Sequence, residues 1–182
     1  NKTRKFRSSD FLDPYGQEIA ETIAANYDGI NVEFNGGYNG AERQCAAFIH
    51  DDFMGKVNFG LEVIDAAWNE KFCHLLHRDV LGALMGLGID RRNIGDLIIS
   101  TGHAKIICLS KIAEFLVTNL TTIGSTSVSC THSDFSTIPE REERCKEISA
   151  TVASLRIDSI AAAGYGSSRS KMTTDIEADK LK

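Results

Sequence analysis

The stretch DLIISTGHAKIICL, residues 96–109, contains two apolar runs, Asp96–Thr101 and Ala104–Leu109, split by Gly102-His103. Short apolar runs bounded by a glycine turn predict a β-hairpin. Upstream, His77–Gly88 has helical spacing, with Val80, Leu81, Leu84 and Met85 on one side, and Phe59–Ala66 before it reads as a strand. Downstream, Ser110 is expected to cap a helix over Lys111–Leu120 that buries Ile112, Phe115, Leu116 and Leu120. Ser125–Thr131 then alternates as a last strand. The order β-α-β-β-α-β predicts a ferredoxin-like, RRM-like domain.

The flanks complete an α+β reading. Asp13-Pro14 starts a helix, with aspartate as N-cap and proline at the first helical position. Ile19, Ala20, Ile23, Ala24 and Tyr27 continue it as a stripe. Ile30–Phe34 alternates like a strand, residues 35–40 (NGGYNG) are turn chemistry, and Gln44–Ile49 pairs back as a hairpin arm. After residue 132 the pattern fades, and Pro139–Arg144 is a charged segment suited to a linker. Two short helices follow, Leu155–Ala163 and Ser168 to about Ala178, joined by Gly164-Tyr165-Gly166. The expected domains are 1–58, 59–136, a linker at 137–150, and 151–182.

Composition narrows the function classes. The 182 residues are 42% hydrophobic and 25% charged, ordinary for a globular protein, and the net charge is −5. Phosphate contact needs clustered Lys and Arg, so nucleic-acid binding must come from a local patch rather than the whole surface. The cysteines at 45, 73, 108, 130 and 145 form no Cys-x-x-Cys zinc or redox motif. Their apolar settings, as in Ile106-Ile107-Cys108-Leu109, point to reduced thiols and a reducing compartment. No apolar stretch approaches the ~20 residues that cross a bilayer, so no membrane partner is expected. The chain opens without methionine or a signal peptide and reads as a fragment of something longer, trimmed at both ends.

Several motifs dissolve on inspection. His77-Arg78-Asp79 has Leu84 where a protein kinase needs asparagine, so it reads as a helix start capped by Asp79. The glycine-rich residues 35–40 lack a Walker ending and read as a tight turn. Of the histidines only His74 and His77 lie at helical spacing, which predicts no metal site, and no cofactor fingerprint is present. No Ser or Cys comes with a readable base and orienter, so no catalytic residue is assigned. Leu155-Arg156-Ile157-Asp158 is similar to the Arg-Leu-Asp run of pseudouridine synthases, whose aspartate is the nucleophile. Here the run leads into the helical Ser159–Ala163 rather than a strand, so Asp158 reads as structural.

The chemistry concentrates near the C-terminus, in GYGSSRSKM, residues 164–172. Ser167 and Ser168 suit a helix cap, yet Arg169 and Lys171 fall in the first turn, where the backbone already disfavours a cation by about 0.3–1 kcal/mol. An anion offsets that repulsion, so serine hydroxyls, free N–H groups and two cations together predict a phosphate contact. Arg156, at the start of the preceding helix, is placed to face the same site.

These residues resemble the start of the S-four RNA-binding domain, the small α-L module in which two short helices present basic side chains to structured RNA and a strand-rich half follows. The chain stops at Lys180-Leu181-Lys182, where those strands begin in the module, so it carries a truncated copy. Phe11–Pro14, Gly36-Gly37-Tyr38 with Gly40–Arg43, and His77–Ile89 followed by Gly95-Asp96 further resemble the YlmH family of S-four-domain proteins. That resemblance implies a non-enzymatic protein that binds RNA (rRNA and tRNA) on the large ribosomal subunit, in quality control of stalled peptidyl-tRNA. It implies no small-molecule substrate, and a bacterial cytoplasmic setting or, alternatively, the plastid stroma. Carried over residue by residue, the RNA contacts are Arg156, Ser168, Arg169 and Lys171, with Ser167, Ser170 and Lys180 beside them. Arg43, Arg78, Arg91 and Arg92 are further basic candidates. A pseudouridine-synthase-type enzyme using Asp158 and a division-linked interaction protein are the alternatives.

Overall fold

The computed structural model describes residues 6–71, 73–138 and 148–177. The expected linker core Pro139–Arg144, Cys145 and Lys180 lie outside the described residues.

An unanticipated strand, β1 (Phe6–Leu12), opens the chain and leads into α1 (Pro14–Ala25). Asp13 caps α1 by accepting the Gly16 N–H at 2.8 Å, with Pro14 at the first helical position. The strands β2 (Ile30–Asn35) and β3 (Gln44–His50) form the expected hairpin, and β1 adds to β3 in the antiparallel order β1-β3-β2. A bulge shifts the β1–β3 register between Ser8 and Phe11. There the Ser9 hydroxyl accepts the Ala46 N–H at 2.9 Å, standing in for a ladder partner. Only the small side chains of the α1 stripe, Ala20 and Ala24, are buried; Ile19, Ile23 and Tyr27 are exposed.

The ferredoxin-like arrangement follows. It comprises β4 (Leu61–Ala67), α2 (His77–Gly86), a 3-10 turn at Arg91–Asn93, β5 (Ile94–Ser100), β6 (His103–Leu109) and α3 (Ser110–Asn119). A short hairpin of β7 (Thr122–Ile123) and β8 (Thr126–Ser127) precedes β9 (Ser129–Ser133). The sheet order β5-β6-β4-β9 places the first and third strands of the motif at the centre, as the split βαββαβ pattern requires. The β5–β6 turn is a two-residue loop, with Ser100 opposite His103 and Gly102 at φ +73°.

Four details differ from the sequence reading, the first being that the opening strand of the motif spans Leu61–Ala67 rather than Phe59–Ala66. The last strand begins at Ser129 rather than Ser125, because Gly124 (φ +58°) folds 122–127 into the β7–β8 hairpin first. Ser110 is the first residue of α3 rather than its cap, and its N–H is satisfied by the Gly60 carbonyl at 2.7 Å. Phe115 lies exposed on α3, while Leu116 and Leu120 carry the packing.

The central sheet has two differently covered faces. Ile64, Ala66, Ala104, Ile106 and Cys108 pack against Val80 and Leu84 of α2 and Ala113 and Leu116 of α3. Val63, Ile107 and Leu109 point the other way and pack with Phe11, Cys45 and Ile138. The N-terminal sheet therefore shares a core cluster with the central one, and Ile138 closes it. The Phe11 ring lies on Gly95, where an added Cβ would come within 2.7 Å of Cε1.

Polar groups secure the same junction. Arg43 donates to the carbonyls of Ile94 and Phe11, both at 3.1 Å. Arg91 donates to Ile94 at 2.7 Å and Gly95 at 3.1 Å. The Asp96 carboxylate accepts from the Tyr38 hydroxyl and from the N–H groups of Glu42 and Arg43. Residues 142–182 form a second compact unit containing α4 (Ile157–Gly164) and α5 (Arg169–Glu177).

Candidate RNA-binding site

The helix pair of the second unit is a turn-defined structure. Helix α4 ends in a Schellman motif: the Ser167 N–H donates to Ala162 O at 2.9 Å and the Gly166 N–H to Ala163 O at 3.4 Å. The second bond needs Gly166 at φ +61°, where a side chain would be strained. One residue later α5 begins. The Ser168 hydroxyl accepts the Lys171 N–H at 3.3 Å, so the cap expected from the serines falls on Ser168. Ala162 and Met172 are buried in this unit.

Asp158 organises the cations. It is buried in the first turn of α4, with a side chain only 9% exposed. Arg169 donates to its Oδ2 from Nη2 at 2.8 Å and from Nε at 3.2 Å, and Arg156 donates from Nε to Oδ1 at 3.0 Å. The Arg169 and Arg156 guanidiniums hold the Asp158 carboxyl down at about 2. The cost of an arginine in the first turn of α5 is therefore met within the protein, by a carboxylate eleven residues earlier. Both arginine side chains remain more than half exposed, at 70% for Arg156 and 53% for Arg169. The Lys171 side chain is exposed, and its ammonium has no partner among the described residues. The site thus combines a fixed arginine pair, one unpaired lysine, the Ser168 cap and exposed Ser170, while Ser167 is half-buried in the loop.

The further basic candidates divide sharply. Arg43 and Arg91 are consumed by main-chain carbonyls at the sheet junction. Arg92 chelates Asp90, with Nη2 to Oδ2 at 2.7 Å, and that pairing brings the Asp90 carboxyl down to about 2. Arg78 is 82% exposed and only distantly paired, 3.9 Å from Asp79. Asp79 instead accepts the Leu76 N–H at 2.9 Å, the helix-start role expected of it.

The sheet face that an RRM uses for RNA is covered at one end here and polar at the other. Phe11, Cys45 and Ile138 cover one end. On the other, Asp65 sits between His103 at 3.2 Å and Lys105 at 3.3 Å, and Lys105 also donates to Ser133. No Phe, Tyr or Trp stands on the central strands β4 and β6; His103 is the one ring there, paired with Asp65.

Comparison with known proteins places these features. A family model described as "Putative RNA-binding domain in YlmH" matches residues 55–137, the span of the ferredoxin-like arrangement. Over 181 residues the chain is 32% identical to the "Ribosome-associated protein quality control protein P2" of Bacillus subtilis (strain 168), covering 98% of this chain and 69% of that protein. The chain belongs to the YlmH family. A solved YlmH-family structure, "Cell division protein ylmH from Streptococcus pneumoniae", superposes with a TM-score of 0.62 at 22% identity, over 74% of this chain and 82% of that one, and so shares the fold. Of the residues that carry the YlmH resemblance, Phe11, Tyr38, Arg43 and Gly95-Asp96 meet at the sheet junction, while His77–Ile89 supplies helix α2 and the turn after it.

Sequence reasoning missed two things about the site. The Asp158–Arg169 pairing had no local signal, because it depends on the loop angle that Gly166 sets. The engagement of Arg43 and Arg91 donors at the junction was equally invisible, since their acceptors are backbone carbonyls.

Proposed function

We propose that this chain is a non-enzymatic RNA-binding protein that contacts rRNA, with tRNA nearby, on the large ribosomal subunit, in bacterial cytoplasmic quality control of stalled peptidyl-tRNA complexes. The observation that carries the reading is the Asp158-centred pair of Arg156 and Arg169 with Lys171, whose ammonium has no partner among the described residues, in the same helix as Arg169. A fixed guanidinium pair suits phosphate oxygens, because each planar fork offers parallel donors. The name of the Bacillus relative and the family's putative RNA-binding domain support the same direction. Ser168 and Ser170 are assigned as flanking contacts to the same backbone.

Asp158 has both carboxylate oxygens engaged by guanidiniums, which supports a positioning role rather than that of a nucleophile. An RNA-modification assay comparing wild type with Asp158→Ala tests this: activity that depends on Asp158 overturns the non-enzymatic reading.

The principal test is co-sedimentation with purified large subunits across a salt series. Arg169→Ala with Lys171→Ala is expected to weaken association for all RNA sequences alike, and to lower the salt slope by about one unit per lost contact. Unchanged affinity and slope would remove the site. Failure to sediment at all would favour the division-linked alternative.

A further inference from the structure

Between the turn after β2 and the 3-10 turn at Phe135–Thr137 lies a cavity of about 460 Å³. Its walls include Asn35, Gly37, Lys56, Asn58, Phe59 and Phe135. The two phenylalanines are half-buried and sit at the edge of the cluster that joins the sheets. Gly37, at φ +96°, lies so close to the Phe135 ring that an added Cβ would come within 2.2 Å of Cε1. The ring is therefore held on one side by backbone.

The polar atoms of this pocket are oriented by their own turns. The Asn35 side-chain carbonyl accepts the Gly37 N–H at 2.7 Å, and that of Asn58 accepts the Gly60 N–H at 2.9 Å. Each amide's NH2 end is consequently left without an acceptor among the described residues, and so is the exposed ammonium of Lys56. Aromatic walls, two amide donors and one unpaired cation match an unstacked nucleotide: ring against base, amide NH2 to a base carbonyl, lysine to the phosphate. The volume lies in the range of small-ligand sites. The sheet face strengthens the match: one end is covered and its central strands carry no Phe, Tyr or Trp, whereas Phe59 and Phe135 stand at the rim.

We propose that this rim pocket takes one unstacked nucleotide of single-stranded or looped RNA, a second contact separate from the helix pair of the C-terminal unit. The inference rests on the RNA-binding reading above, and its test separates the two. The full chain is irradiated with a single-stranded oligouridine carrying 5-iodouridine, and the cross-linked peptides are mapped by mass spectrometry. Cross-links are expected on Phe59 or Phe135. Phe135→Leu, which keeps the apolar contact with Gly37, should abolish the Phe135 cross-link at an unchanged melting temperature. Lys56→Glu, at an exposed and unpaired position, should weaken oligouridine binding about tenfold, since it replaces one phosphate contact with a repulsion. Arg169→Ala with Lys171→Ala should leave the cross-link position where it was. Cross-links confined to residues 148–177, with affinity indifferent to Lys56→Glu, overturn the pocket and leave the helix-pair site standing. Absence of binding both to the oligomer and to large subunits overturns both readings.

Discussion

Asp158 decides between two accounts of the basic cluster. If positive charge alone draws RNA, Asp158→Asn raises affinity, because it removes a negative charge. If the carboxylate's work is to fix two guanidiniums, the same change lowers affinity several-fold, and we expect the lower value in a filter-binding titration. The titration of the aspartate itself gives a second check. Its folded value of about 2 lies below the roughly 3.9 of an unfolded aspartate, so its contribution to stability is complete above about pH 4 and fades as pH falls through 2. Carboxyl carbon shifts in NMR should show that low midpoint in wild type and a higher one in Arg169→Gln. Thiols offer a third residue-scale check. Burial pushes Cys45 and Cys108 up to about 12 and Cys130 to about 11, while Cys73 is only partly buried. Iodoacetamide at pH 8 should leave those three unmodified until the chain is denatured, because the thiolate is the nucleophile and burial also denies access.

At the scale of elements, α1 and α2 make contrasting predictions. Ile23 on α1 is 46% exposed, so Ile23→Lys should change stability by less than about 0.5 kcal/mol. Leu84 on α2 is fully buried against the central sheet, and Leu84→Ala should cost about 2–5 kcal/mol in urea denaturation. The sequence made the central elements legible because each strand and helix there carries its own apolar period. It was less informative where side-chain pattern and tertiary burial disagree. Phe115 and Ile19 fit a helical stripe yet stay exposed, since the neighbouring sheets need only the smaller residues beside them. The strand β1 was missed because FRSSDFL, residues 6–12, has a bulge in its middle that destroys the alternation. The rim pocket was illegible for another reason: Asn35, Lys56 and Phe135 meet only through the docking of two sheets.

For the whole molecule, the net charge of −5 conceals a division of labour among its basic residues. Arg43 and Arg91 tie backbone to backbone, Arg92 and Lys111 sit on aspartates, and Lys56 and Lys171 have no partner among the described residues. Polyanion binding therefore depends on a few positions rather than on overall composition. The sheet junction predicts how stability is shared. Phe11→Ala removes a fully buried ring from a cluster that includes Val63 and Ile107, and should cost about 3–5 kcal/mol. Hydrogen exchange should then accelerate in β6 as well as β1, because the two sheets unfold together. Exchange that accelerates in β1 and β3 alone would mean that the central sheet stands without its neighbour.

The cluster of Phe11, Cys45, Val63, Ile107, Leu109 and Ile138 also sets a timetable for synthesis. Its earliest member emerges from the ribosome well over a hundred residues before its last, and contacts of such separation close slowly. While Ile138 is still inside the exit tunnel, Phe11 waits in a nascent chain whose β2–β3 hairpin can already form but whose second sheet is incomplete. The cluster is complete only once residue 138 has left the tunnel, and a chain interrupted before that point leaves its apolar surface open to chaperones and proteases.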